Sequence, residues 1–148
     1  MSAFNEEALT EKLSKLNNSQ QSIVTLSHWC VYHRKRAKLV VQIWNTEFAK
    51  APKERRLAFI YLANDVLQNS RKKGPEFVDE FYKVMPRAFK HLSKRADEKD
   101  KASLMKLIKV WEERKVFGHS LPPAIRESLL GTASEEKEER GAKRGAIE

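Results

Sequence analysis

The stretch "FIYLANDVLQNSRKKGPEF", residues 59–77, carries two faces of one helix and the signal that ends it. At about 100° per residue, with Tyr61 at zero, Phe59, Ile60, Leu62, Ala63, Val66 and Leu67 fall between about 100° and 260°. That arc is a core-packing face. Asn64, Asp65, Gln68, Asn69 and Lys72 fall within about −60° to +80°, centred on Tyr61. Gly74-Pro75 then supplies a glycine stop followed by a proline start. Lys and Glu would solvate a plain surface more favourably than this polar face does. Its amides and carboxylate are instead directional donors and acceptors, of the kind that read a peptide backbone and hydroxyl groups. Taken alone, the same residues are equally accounted for by satisfying neighbouring loops and helix ends.

Outward from this helix the pattern stays helical, with only five glycines and no sustained alternation of the strand type. Asn5 caps a first helix with Ala8, Leu9, Leu13 and Leu16 on its apolar side. Asn18 or Ser19 caps a second, with Ile23, Leu26, Cys30 and Val31 inward, broken at "YHRKRAK". A third carries Leu39, Val40, Ile43, Trp44 and Phe48 and ends before Pro52; the fourth starts near Lys53. A fifth element holds Phe77, Phe81, Val84, Ala88, Phe89 and Leu92, and Pro86 is expected to divide it in two. A sixth runs from about Asp97 to Val116, and a short seventh starts at Pro122-Pro123 and closes at Gly131. No period of repeat-array length recurs. The expectation is an all-α fold of seven or eight short helices, a superhelix or bundle.

The charge is uneven. The 148-residue chain is 41% hydrophobic, 33% charged and carries a formal +9, but residues 1–131 hold 25 basic and 15 acidic residues, a net +10. Residues 132–148, "TASEEKEERGAKRGAIE", lack a large apolar side chain until Ile147 and are expected to be a charged disordered tail or linker after a folded domain at 1–131. A basic domain seeks anions: nucleic acid, phospholipid or phosphorylated protein. No apolar run approaches the roughly 20 residues of a membrane span, and the acidic start is no secretory signal. The lone Cys30 forms no internal disulfide and gives no metal-ligand spacing, which fits the cytosol or nucleus.

In "SLMKLIKVWEERKVF", residues 103–117, Leu104, Leu107, Ile108 and Trp111 form a core stripe. Lys106, Val110 and Arg114 recur at intervals of four on another line, placing two cations about 12 Å apart with an aliphatic residue between them. A phosphate-plus-apolar strip and a plain solvated face both have this spacing. At the start of the second helix, "NSQQ" offers an anion-favouring helix end or an ordinary cap.

Three separated stretches, "NNSQQSI" at 17–23, "FIYLANDVLQNSRKKGPEF" at 59–77 and "VWEERKVF" at 110–117, together resemble the CTD-interaction domain (CID) in its regulation-of-nuclear-pre-mRNA branch. The resemblance covers about residues 1–131. It implies a right-handed superhelix that binds, in the nucleus, the phosphorylated Tyr-Ser-Pro-Thr-Ser-Pro-Ser repeats at the C-terminus of the largest RNA polymerase II subunit, read as a β-turn. Tyr61 and Asp65 would line the groove, with Asp65 accepting from the heptad tyrosine hydroxyl. Asn64, Gln68 and Asn69 would meet the peptide backbone and turn, and Asn18, Ser19 and Gln20 the far end. Val110 and Trp111 would form or support an apolar wall, and Lys106 and Arg114 would bind phosphate. Relatives in this branch commonly carry arginine where this chain has Lys106, and lysine loses the bidentate fork. Any homodimer would form through a region beyond this domain, where relatives continue into a coiled coil.

The resemblance implies no catalytic residue, metal or cofactor. The four histidines, His28, His33, His91 and His119, show no metal or triad spacing. Trp29, Trp44 and Trp111 sit at or beside core positions. No glycine-rich phosphate loop, Walker pattern or HExxH occurs. Two rival classes stay open on charge alone: direct RNA or DNA binding and a phosphoinositide-binding membrane adaptor. The acidic "NEEALTEKL" argues against the membrane reading. The basic clusters "RKRAK" and "RKK" are short as nuclear-import signals.

Overall fold

Short polar side chains set the helix starts in the computed structural model, which describes residues 3–118 and 121–130. Asn5 opens α1 (Glu6–Ser14), its Oδ1 accepting from the Glu7 and Ala8 amides at 2.8 and 3.3 Å. Ser19, not Asn18, opens α2 (Gln20–Tyr32), with Oγ accepting from the Ser22 amide at 3.1 Å. Asp97 opens α6 (Glu98–Glu113) in the same way through the Asp100 amide. Each satisfies donors that the first turn leaves unpaired. Between these lie a 3₁₀ turn (Arg34–Arg36), α3 (Ala37–Lys50), α4 (Lys53–Ser70) and α5 (Glu76–Ser93); residues 123–130 form α7. All regular elements among the described residues are helical, as the sequence predicts. The sequence-predicted tail at 132–148, the stop at Gly131 and His119 lie outside the described residues.

The chain forms two compact units, the first ending at Ala88 and the second beginning at Phe89. In the first, α2 packs on α4 and α1 on α3. The core face of α4 is the one read from its wheel: Phe59, Ile60, Leu62, Ala63, Val66 and Leu67 are all buried. Two consecutive arginines fix this helix to its neighbours. Arg55 donates through Nε to the Leu16 carbonyl at 3.1 Å and through a second nitrogen to the Leu13 carbonyl. Buried Arg56 donates to the Phe48 and Ala49 carbonyls at 3.3 and 3.1 Å. Carbonyls at the C-terminal ends of α1 and α3 thus receive charged donors in addition to those of their closing turns. Trp44 adds a buried bond from Nε1 to the Phe59 carbonyl at 3.1 Å.

The expected division at Pro86 does not occur. α5 runs continuously through it. A proline inside a helix removes one backbone donor and costs about 3 kcal/mol. Here Phe77, Phe81, Met85, Ala88, Phe89 and Leu92 keep one buried stripe on both sides of it. Burying each large side chain returns about 1.5–3 kcal/mol, so continuity of the stripe outweighs the lost bond.

Two helices stop earlier than their sequence signals. α4 ends at Ser70, whose carbonyl accepts from the Lys73 and Gly74 amides at 2.8 and 3.1 Å in a closing turn. α6 ends in a Schellman motif: Lys115 takes φ 51°, its amide donates to the Glu112 carbonyl at 3.2 Å, and Val116 donates to the Trp111 carbonyl at 3.0 Å.

Candidate functional site

On α4 the polar face is partly sunk. Tyr61, Asn64, Asp65 and Gln68 are half-buried and Asn69 is exposed. These side chains bind one another along the helix. Gln68 Nε2 donates to Asn64 Oδ1 at 2.7 Å; Asn69 Nδ2 donates to Asp65 Oδ2 at 2.9 Å and to the Asp65 carbonyl at 2.8 Å. Two i,i+4 pairs therefore bias Asn64, Asp65, Gln68 and Asn69 toward one arrangement before any ligand arrives. The second carboxylate oxygen of Asp65 accepts from no side chain among the described residues, and the Tyr61 hydroxyl has no protein partner there either. A carboxylate oxygen held open beside a phenol suits a hydroxyl or amide donor from a ligand.

The start of α2, in the same unit, presents Asn18, Ser19 and Gln20, all exposed. Ser19 is engaged as the cap, and its own amide donates to Asn17 Oδ1 at 2.8 Å. Of the two sequence expectations for this start, the ordinary cap is the one present, through Ser19; like α3, α2 has no acidic residue in its first turn.

In the second unit, Lys106 is exposed on α6 without an ion pair among the described residues, Val110 is half-buried, and Arg114 is exposed at the C-cap. Trp111 is 0% exposed and rests against Phe89 and Phe117 at ring separations of 5.7 and 5.3 Å. It is part of the core of the second unit rather than an exposed contact surface. A cavity of about 480 Å³ lies between the end of α6 and α7, with Leu121, Pro122 and Leu130 on its wall and the Glu112–Arg126 ion pair across it.

Sequence reading did not find the part played by Arg55 and Arg56. Its signal was legible in retrospect: two adjacent cations early in α4 oppose that helix's own dipole, and their gain comes from neighbouring helix ends instead. It also passed over a groove of about 580 Å³ beside α2, discussed below.

No group of three His, Cys, Asp or Glu side chains among the described residues is placed to hold a metal ion. Burial pushes the Cys30 thiol up to about 12, with Lys12 pulling weakly the other way, so at neutral pH it stays a protonated, shielded core group. No helix among the described residues is long and apolar enough to cross a membrane.

Comparison with known proteins gives a coherent result. A family model described as CID domain matches residues 7–122. Regulation of nuclear pre-mRNA domain-containing protein 1A from Gallus gallus is 49% identical over 131 residues, 88% of this chain and 49% of that protein. The Homo sapiens protein of the same name is 48% identical over 131 residues, covering 88% and 42%. Protein 1B from Homo sapiens is 48% identical over 134 residues, covering 90% and 41%. The chain thus spans less than half the length of these relatives. Among solved structures, one described as the crystal structure of the rpr of pcf11 superposes with a TM-score of 0.75 at 18% identity, over 86% of this chain and 99% of that one. That likeness shows a shared fold.

Proposed function

Because the chain belongs to the CID domain family, we propose that it is a binding module for the phosphorylated heptad-repeat tail of the largest RNA polymerase II subunit. It acts in transcription and pre-mRNA processing in the nucleus, and it performs no catalysis. The observation that carries this reading is the α4 row, in which Asp65 pairs with Asn69 while one carboxylate oxygen stays open beside Tyr61. A heptad tyrosine hydroxyl donates to that oxygen, and Asn64, Gln68 and Asn69 meet the backbone of the peptide turn. Asn18, Ser19 and Gln20 contact the peptide from the start of α2. In the second unit Lys106 and Arg114 supply phosphate-binding cations, and Val110 an apolar contact. The names of the relatives, which refer to nuclear pre-mRNA, support the location and the process. Any homodimer forms through sequence outside this domain.

The test is calorimetric titration with two-heptad peptides. Phosphorylated heptads should bind well above both the unphosphorylated peptide and a scrambled phosphopeptide of equal charge. Equal binding of the scrambled peptide would reduce the interaction to nonspecific electrostatics. RNA or duplex DNA competing more strongly at physiological salt, with a steep salt slope, would assign the +10 surface to nucleic acid instead.

A further inference from the structure

The groove beside α2 is built from α1 and α2 within the first unit. Lys12 and Lys15 form one wall, Ser22 and Thr25 the other, and Leu26 and Trp29 the floor, with Ser19 and Gln21 at the open end. Its lining contains two cations and no carboxylate. α2 itself, "QQSIVTLSHWCVY", has no acidic residue along its whole length. Its chemistry therefore suits an anion attached to something apolar.

The cations are available. Lys15 reaches Glu11 at 3.1 Å, but the two side chains are 74% and 68% exposed, and a surface pair of that kind exchanges readily for a better anion. Lys12 lies over the Trp29 ring at 5.5 Å and is itself exposed. Lys12 in the last turn of α1 and Lys15 at its C-cap are three residues apart, a spacing that puts their side chains on the same side, and both line the groove. The Ser19 and Ser22 hydroxyls each accept a backbone amide, at 3.1 and 3.3 Å, which leaves their own protons to donate. Trp29 is 6% exposed, with Lys12 over its ring and Phe4 and His33 packed on it at 5.7 and 4.6 Å. It gives the floor an apolar edge and has no open face on which a nucleotide base could stack.

Resting on the function proposed above, we infer that the α1–α2 groove is a second subsite for the same polymerase tail, which takes the heptad flanking the two-heptad stretch that spans α4 and the start of α2. A phosphoserine of the flanking heptad sits between Lys12 and Lys15, and its neighbouring proline lies against Leu26 and the edge of Trp29. Ser19 belongs to both regions and makes them continuous. A tail of identical repeats always has a second copy near at hand, so the second contact forms at high effective concentration.

The experiment compares two-heptad and three-heptad peptides, the longer one with or without a phosphoserine in its additional heptad. They are titrated into the unaltered chain and into the Lys12→Gln/Lys15→Gln double variant, with circular dichroism and thermal melting to confirm that the variant folds. The flanking phosphate should tighten binding to the unaltered chain about threefold to tenfold and shift the Trp29 indole N–H resonance. Both effects should vanish in the double variant, while its affinity for the two-heptad peptide stays the same. If the two-heptad peptide binds but the flanking phosphate brings no gain, or brings a gain that survives in the variant, the groove is not a subsite and the α4 reading stands. If neither peptide binds, both readings fall. Single-stranded RNA moving the Trp29 resonance where the phosphopeptide does not would overturn the inference and give the groove to nucleic acid.

Discussion

The polar row of α4 and the cationic row of α6 are both made of residues at helical spacing on the outside of their units, yet they are built on opposite physical terms. Tyr61, Asn64, Asp65 and Gln68 are half-buried, and two side-chain pairs link the row at 2.7 and 2.9 Å. Lys106 and Arg114 are long and exposed. The first row loses little side-chain entropy when a ligand arrives and reads direction. In the proposed role the second would act through charge at a distance and be screened by salt. Shape selectivity should therefore reside on α4, and phosphate dependence on α6.

Trp111 tests where the second row ends and its support begins. As a fully buried side chain on the same turns as Val110 and Arg114, it should behave as core. Trp111→Ala is expected to lower stability by about 3–5 kcal/mol, visible as a collapse of the thermal or denaturant midpoint. Any loss of peptide binding should track the unfolded fraction. A well-folded Trp111→Ala with a selective binding defect would instead make the indole a ligand contact and erase the distinction.

Asp65 probes the other side of the contrast. Removing its charge with Asp65→Asn, or its hydrogen bonds with Asp65→Ala, should weaken heptad binding by about 1.5–3 kcal/mol, because a charged acceptor is lost. Stability should change little, since its only side-chain partner among the described residues is Asn69 at the surface. The deficit should be nearly the same at low and high salt, and a strong salt dependence would move Asp65 into the long-range electrostatic class.

The end of α6 offers a smaller handle. Lys115 holds φ 51°, a left-handed conformation that costs a residue with a Cβ about 1–2 kcal/mol. Glycine removes that strain but adds roughly 0.4–1 kcal/mol of unfolded-state entropy. Lys115→Gly should thus raise stability by about 1 kcal/mol at most, read as an increase in denaturant midpoint without a change in slope. Because Lys115 follows Arg114, unchanged phosphopeptide affinity in this variant would show that Lys115 adds no charge of its own to the cationic row.

How much of this was legible in the sequence depended on whether the signal was local. The wheel of α4 separated the buried from the half-buried residues correctly because periodicity and burial report the same geometry there. The cap at Asn5, and the choice between Asn18 and Ser19 for α2, could be read because such a cap bonds within its own first turn. Pro86 misled because the local cost of a proline is visible in sequence, whereas the buried stripe of Phe81, Met85 and Phe89 that outweighs it is a tertiary quantity. Arg55 and Arg56 were missed for the same reason: the carbonyls they serve lie on other helices. The α4 pairs Asn64–Gln68 and Asp65–Asn69 follow from i,i+4 spacing, but the oxygen of Asp65 left open does not. The α1–α2 groove exists only once two helices are placed together.

The smallest expected effect separates the two rows most finely. A lysine binds phosphate as a point charge, and Lys106→Arg would keep that charge while adding a planar fork capable of two parallel hydrogen bonds. If the cationic row acts by charge alone, the substitution should leave every affinity unchanged. If a phosphate settles against Lys106 at contact distance, the fork should add about 0.5–1 kcal/mol, a gain of about twofold to fivefold for one singly phosphorylated heptad pattern and none for the others. Lys106→Glu is the control: it should abolish most of the phosphate-dependent increment while leaving binding of the unphosphorylated heptad, held by α4, nearly intact. Calorimetry across singly phosphorylated peptides, repeated at two salt concentrations, distinguishes these outcomes. Should Lys106→Glu bind phosphorylated and unphosphorylated heptads as the unaltered chain does, the phosphate contact leaves Lys106 and falls to Arg114 or to the start of α2.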